Sequence, residues 1–287
     1  MFRFPTSIRR AWPGLLALLL ALPAYAQVAQ DDAVVARLHA AGQRHETPHV
    51  VLWSAPEALG ETEAEALANA LEQGVVAIGA LLGTQLDTAH YAEDKVHVFV
   101  ARGIDVSHVY GGYRHPQYDK PYLFLDVRRV RGGRAPYLHE LTHLLAWRFG
   151  SHSLREGLAS YVELELAAAG HGRSSGLFGM TDRDAAHGRA LALLATEPAA
   201  GIVPQLGGRG GPEGGVTGTD DAASRETYYV LAQSFVRFLV ERIGLPEFLQ
   251  VYGDDDPDAA VARLTGAPMD VWRARWLQSL RGAPAGG

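Results

Sequence analysis

Four side chains that can bind a metal or transfer a proton lie close together between residues 137 and 163. His139, Glu140 and His143 form the pattern HExxH, and Glu156 follows in the next stretch. The residues between the two histidines and after them are mostly apolar, so a helix here is apolar nearly all round and is expected to be buried. Buried imidazoles and carboxylates are costly unless something pairs with them, and the simplest partner is a metal ion.

The spacing of the HExxH residues suits one zinc ion. Residues four apart share a helix face, so His139 and His143 can both reach the same Zn²⁺. Glu140 lies beside them and can accept a proton from a zinc-bound water. Because the chain has one HExxH pattern and no second cluster, we expect one Zn²⁺ per chain.

A catalytic zinc usually has three protein ligands and one open position. Two candidates for the third ligand remain, His152 in the turn and Glu156 in the next helix. Ser153 and Glu156 also fit a capping box, in which Glu156 would only bond the backbone of Ser153. We favour Glu156 as the ligand, because a turn at Gly150 brings its carboxylate back to face the first helix. Gly157 would let the two helices come close.

The two stretches together resemble a known family. HELTH followed by SLREGLASYVE is similar to the peptidase MA-like gluzincin metallopeptidases, and a weaker likeness extends over residues 229–239. The resemblance says little about residues 27–95. It implies a zincin-like fold, with His139, His143 and Glu156 as zinc ligands and Glu140 as general base.

The resemblance also makes two finer points. It implies that an edge strand aligns the substrate, and residues 122–127 are the best candidate here. Many gluzincins carry an acidic residue one turn after the glutamate ligand, where this chain has Ser160. Either the metal is then bound more weakly, or Glu163 or Asp126 supports a histidine instead.

Two neighbouring tyrosines compete for the role of oxyanion donor. Tyr228 shares a helical stripe with Leu231 and Phe235 and is expected in the core, whereas Tyr229 shares one with Gln233 and can face a cleft. The family pattern also places its tyrosine at position 229. We therefore interpret Tyr229 as catalytic, with Tyr228 left open as the alternative.

The chain begins with features of a secretory signal peptide. Arg3, Arg9 and Arg10 precede the short apolar run GLLALLLAL, and Ala24-Tyr25-Ala26 fits a cleavage site after Ala26. Removal of residues 1–26 leaves 23 basic residues against 32 acidic ones, a net charge of −9. We expect a periplasmic or secreted protein that binds no nucleic acid, has no disulfides, and does not insert stably into a membrane. The sequence does not indicate an oligomeric state.

The apolar periodicities predict an α+β protein. Helices are expected at 31–46, 61–82, 136–150, 154–169, 226–243 and 268–281, and strands at 49–53, 95–101 and 122–127. We expect an N-terminal sheet-containing lobe at 27–150 and a mainly helical lobe at 151–287, with the zinc site between them.

Two further segments have less specific patterns. Residues 206–226 are rich in glycine, and we expect a mobile loop, a candidate lid over the cleft and the first point of proteolysis. His108 and His115 flank the Gly111-Gly112 pair, where a solvated loop is commoner than a substrate contact.

These patterns together predict an exported zinc metallopeptidase that hydrolyses peptide or protein substrates. The alternative is a non-catalytic envelope protein of zincin fold that binds peptide or glycan. The presence of Glu140 favours the enzyme, because a purely structural zinc site needs no base.

Overall fold

The computed structural model describes residues 12–111, 119–209 and 221–282, with side chains from Gln27 onward. The basic start of the predicted signal peptide, His115 and most of the glycine-rich segment lie outside the described residues. Helix α1 (Trp12–Ala41) runs on through Ala26, so the cleavage site stays a prediction. The described chain is an α+β protein with a five-stranded mixed sheet, as expected.

The sheet has the order β1-β2-β3-β5-β4. Strands β2, β3 and β5 are parallel, and the outer strands β1 and β4 are antiparallel to their neighbours. The central strands are rich in β-branched and aromatic residues, which suits a sheet buried on both faces. Their bounds are β1 (Gln43–Glu46), β2 (Val50–Ser54), β3 (Val96–Ala101), β4 (His108–Val109) and β5 (Tyr122–Asp126).

Two sequence expectations about the sheet are wrong. The first helix ends at Ala41 rather than 46, because residues 43–46 pair with β2 as a strand. The candidate substrate-aligning strand at 122–127 is not an edge strand. Phe124 pairs with Phe99 on one side and with His108 on the other, so the short β4 is the edge strand next to β5.

Helix α2 (Glu61–Leu82) has the predicted bounds. The Glu63 carboxylate accepts the Gly60 backbone N–H at its start, and Gly83 ends it in the left-handed region at φ 65°. By length and composition alone, the helix could cross a membrane. It nevertheless buries residues such as Leu71 and Ile78 and packs against β2 and the HExxH helix, as a core helix does.

The HExxH helix, α5 (Tyr137–Leu145), is shorter than predicted. It leaves helical geometry at Ala146 (φ −112°, ψ 47°), before Gly150. Gly150 lies in the turn instead, where its N–H donates to the Tyr252 carbonyl at 2.9 Å. A Cβ at this position would collide with the Asp254 carbonyl oxygen, so the close passage of the chain requires glycine.

The next helix, α6 (His152–Ala168), packs closely on α9 (Ala222–Ile243). Asp221 caps α9 by accepting the Ser224 N–H at 2.9 Å, so α9 begins four residues before the predicted 226. The last helix begins at Met269, close to prediction. The remaining helices are α3 (Thr88–Tyr91), α4 (Val127–Arg131), α7 (Arg183–Leu193), α8 (Glu197–Ile202), α10 (Leu245–Tyr252), α11 (Pro257–Thr265) and α12 (Met269–Gly282).

Gly157 brings α6 close to α9 rather than to α5. A Cβ added at Gly157 would lie 2.5 Å from the Ala232 carbonyl oxygen and from Val236 Cγ2. Successive helical residues point about 100° apart. Because Glu156 faces α5, its neighbour faces another partner, and the expected close approach to the first helix is wrong.

Candidate metal centre

Helix α5 holds its two histidines in the interior of the protein. Every residue from Leu138 to Leu145 is buried, and His139 and His143 are each 3% exposed. Their rings meet edge to face with centroids 4.7 Å apart, one turn apart on the same face. The apolar surround and the four-residue spacing therefore produce the arrangement that the sequence predicts.

Glu156 lies opposite these histidines at the start of α6. Its Oε2 is 3.3 Å from His139 Nε2 and 3.4 Å from His143 Nε2. One ligand atom from each of the three residues falls within 4.8 Å of the others. A tetrahedron with arms of about 2.05 Å has edges of about 3.3 Å, so these separations fit a tetrahedral zinc site.

The start of α6 fits neither of the two alternatives, a capping role for Glu156 or a ligand role for His152. The cap of α6 is Ser151, so Ser153 lies inside the helix and Glu156 is not its capping partner. His152 Nε2 is 3.6 Å from Oε1 of Glu156, the oxygen that faces away from the two histidines. Its Nδ1 hydrogen-bonds the Tyr228 hydroxyl at 2.6 Å. His152 therefore lies behind the carboxylate and is not part of the group that could hold the metal.

Nearby charges set the protonation states of the candidate ligands. Burial alone raises the pKa of Glu156, but His143 and Arg155 outweigh it, and the pKa ends well below its usual value. Burial and the charge of Arg155 lower the pKa of His143 to about 3. Burial also lowers the pKa of His139, yet the hydrogen bond to Glu156 leaves that pKa raised. An ionised carboxylate and a neutral His143 are the forms that bind zinc.

Glu140 lies in the same buried turn but outside the ligand group. Burial raises the pKa of its carboxyl to about 7; the charge of His139 opposes this shift and that of Glu156 adds to it. A carboxylate with a pKa near neutrality can take up a proton and release it again at physiological pH.

The two tyrosines of α9 have different surroundings. The ring of Tyr229 lies 6.2 Å from that of His139 and 5.3 Å from that of Phe178, and is only partly buried. Tyr228 is 2% exposed and binds His152. The structure thus brings Tyr229 next to a candidate ligand and puts Tyr228 in the core, in line with the helical phase read from the sequence.

Ser160, at the position where the family pattern has an acidic residue, contacts His139 itself. When Nε2 of His139 faces a metal, its Nδ1–H can donate to Ser160 Oγ, 3.4 Å away. Glu163 instead accepts the N–H of Ser175 at 2.8 Å, and Asp126 caps α4 and pairs with Arg128. Of these two carboxylates, Glu163 still acts on His139 through its charge, which contributes to the raised pKa of that histidine.

The edge strand β4 carries a partly buried ion pair that sequence analysis missed. His108 Nε2 donates to Asp31 Oδ1 at 2.9 Å, and Nδ1 faces the Val106 carbonyl oxygen at 2.8 Å. Burial lowers the pKa of His108, but the hydrogen bond and charge of Asp31 outweigh it, and the net pKa is raised. Asp31 also accepts the Gly111 N–H at 2.9 Å, so the pair ties α1 to the edge of the sheet. His108 is thus a packed residue rather than a solvated loop histidine.

Comparison with other proteins adds no family assignment. No protein-family model matches the chain, and no curated protein matches its sequence.

Proposed function

We propose that the chain is an exported zinc-dependent metallopeptidase of zincin-like fold. The observation that carries the proposal is the convergence of His139, His143 and Glu156 in the protein interior, with Glu140 in the same helical turn. A set of two imidazoles and one carboxylate is typical of catalytic zinc in peptidases, because it leaves a fourth position open.

Glu140 and Tyr229 have separate roles in the proposed reaction. A Zn²⁺ ion held by His139, His143 and Glu156 would supply Lewis acidity and would make a water at the site more acidic. Glu140 accepts the proton from that water and returns it to the leaving amine, which its pKa of about 7 suits. We assign to the hydroxyl of Tyr229, whose ring lies 6.2 Å from that of His139, the hydrogen bond to the oxyanion that develops on the peptide carbonyl.

The experiment uses protein that begins at Gln27 and its Glu140→Gln variant. Elemental analysis should find about one zinc per chain in both, because Glu140 is not a ligand. Cleavage of a peptide library should be seen with the unmodified protein and be lost in the variant. If the variant keeps its zinc and cleaves as before, the peptidase assignment is wrong. If neither protein cleaves any peptide although zinc is bound, a non-catalytic binding protein is the better description.

A second pair of variants tests the ligand assignment. Glu156→Gln should weaken zinc binding on the order of tenfold or more, because it removes the only carboxylate of the group. His152→Ala should leave the affinity nearly unchanged, because His152 lies on the far side of Glu156. The opposite ranking in a zinc competition titration would make His152 the third ligand.

A further inference from the structure

A buried arginine lies directly behind the proposed metal ligand. Arg155 precedes Glu156 in α6 and is 3% exposed, so it cannot meet a substrate. Its Nη1 donates to Glu156 Oε1 at 2.5 Å, and its guanidinium lies over the Phe149 ring at 5.3 Å from the centroid. A buried cation next to a metal ligand is unusual, because it carries the same sign of charge as the metal.

The two oxygens of Glu156 have separate partners. Oε2 faces His139 and His143, while Oε1 faces Arg155. A charge-assisted hydrogen bond of this kind fixes the plane of a carboxylate. The arrangement presents one oxygen to the metal position and holds the other away from it.

We propose that Arg155 is a built-in counter-ion of Glu156, which holds the carboxylate in its orientation while no metal is bound, at the expense of metal affinity. The proposal rests on the proposed function, since it assumes a metal between His139, His143 and Glu156. The site contains two buried carboxylates, Glu140 and Glu156, and an unpaired buried carboxylate is strongly destabilising. Arg155 supplies the compensating charge, so the chain can fold before it meets the metal.

This role predicts the opposite change in metal affinity from the one expected of a residue that only supports a ligand. Removal of a residue that only orients a ligand typically weakens metal binding 10- to 100-fold. Removal of the guanidinium also removes a repulsion between like charges near the metal. Without the guanidinium, the metal-loaded protein still has the zinc ion as a cation beside Glu156. The metal-stripped protein then has neither the zinc ion nor the guanidinium there. Loss of Arg155 should therefore harm the stripped form more and tighten zinc binding.

The test compares Arg155→Met with Arg155→Lys and with a surface control. Thermal unfolding is measured for chelator-stripped and zinc-loaded protein, and zinc affinity by competition with a chelating dye at one pH. Arg237→Met is the control, because Arg237 pairs with the exposed Glu241 one turn further along α9.

We expect Arg155→Met to lower the Tm of the stripped protein more than that of the loaded protein. The rise in Tm caused by zinc should then exceed that of the unmodified chain, and zinc should bind ~3- to 10-fold more tightly. The zinc affinity and the zinc-induced rise in Tm of Arg155→Lys should lie between those of the unmodified chain and of Arg155→Met, because lysine keeps the charge but not the fork-shaped geometry. The control should leave the zinc-induced rise unchanged.

Two results would overturn the proposal. An equal fall in Tm for both forms with unchanged affinity would make Arg155 a packing residue, and weaker zinc binding would make it an ordinary support of Glu156. If Arg155→Met folds in neither form, Arg155→Lys decides on the same two measurements. Failure of the unmodified chain to bind zinc would instead refute the proposed function, and that result is known before any variant is made.

Discussion

The contact between α6 and α9 leads to a prediction about stability and metal binding together. Gly157 follows Glu156 directly and lies inside α6. Exchange of glycine for alanine in a helix interior normally stabilises by about 0.5–1 kcal/mol, because alanine loses less backbone freedom on folding. Here the added methyl group would lie 2.5 Å from the Ala232 carbonyl oxygen and from Val236 Cγ2.

These separations decide whether Gly157→Ala stabilises or destabilises the protein. They are about 1 Å shorter than ordinary van der Waals contacts, and one of the two atoms belongs to the backbone of α9, which cannot rotate away. Overpacking in a well-packed interior costs about 1–3 kcal/mol or more. After the helix propensity gain is subtracted, we expect Gly157→Ala to lower the free energy of unfolding by about 2 kcal/mol. Zinc binding should weaken too, because the displaced helix carries Glu156.

The assay is urea unfolding followed by circular dichroism, with Gly188→Ala as the matched control. Gly188 lies inside α7, and a Cβ there would meet no atom within 4 Å. The control should raise the free energy of unfolding by about 0.5–1 kcal/mol. If Gly157→Ala proves as stable as the unmodified chain or more so, the close approach of α6 and α9 is not what requires glycine at this position.

Two further predictions concern single polar contacts. Tyr229→Phe should lower kcat on the order of 10²-fold with little change in KM, because it removes the proposed oxyanion donor. Tyr228→Phe should keep its kcat and lose about 1 kcal/mol of stability, because the hydroxyl that bonds His152 is gone. A loss of kcat in Tyr228→Phe alone would reverse the assignment. Asp31→Asn should lower the pKa of His108, followed by NMR, because the raised value depends on the Asp31 charge. A raised pKa in the folded state means that this pair stabilises the fold at acid pH, and that the contribution is lost as pH rises through that pKa. An unchanged titration of His108 in Asp31→Asn would contradict the ion pair.

The long periodic elements could be predicted from the sequence. The bounds of α2 follow from its apolar stripe and its terminal Gly83, and the HExxH spacing places His139 and His143 on one face. Strand β1 could not be found in this way. Its residues, QRHE, show no apolar alternation, and it forms because it pairs with the buried strand β2. Tertiary pairing overrode local pattern there, and the same holds for the two-residue strand β4.

Contacts between distant parts of the chain explain the other misses. His108 lies 77 residues from Asp31, and no spacing rule connects them. The one signal that pointed to Arg155 was its place beside Glu156 in the stretch SLREGLAS, whose other residues are apolar or small. A reader of the sequence would place that arginine on a surface, because arginine is rarely buried without a partner. Its partner is the adjacent residue in the chain, which helical geometry normally directs elsewhere.

The choice between His152 and Glu156 shows what spacing alone could not decide. The two residues are four apart, so they share a face of α6. Only their partners separate them. Tyr228 from α9 binds the Nδ1 of His152, while the two histidines of α5 face the Oε2 of Glu156. The candidate for the third ligand is therefore set apart by a helix more than 60 residues further along the chain, since α9 binds His152 and Glu156 faces α5.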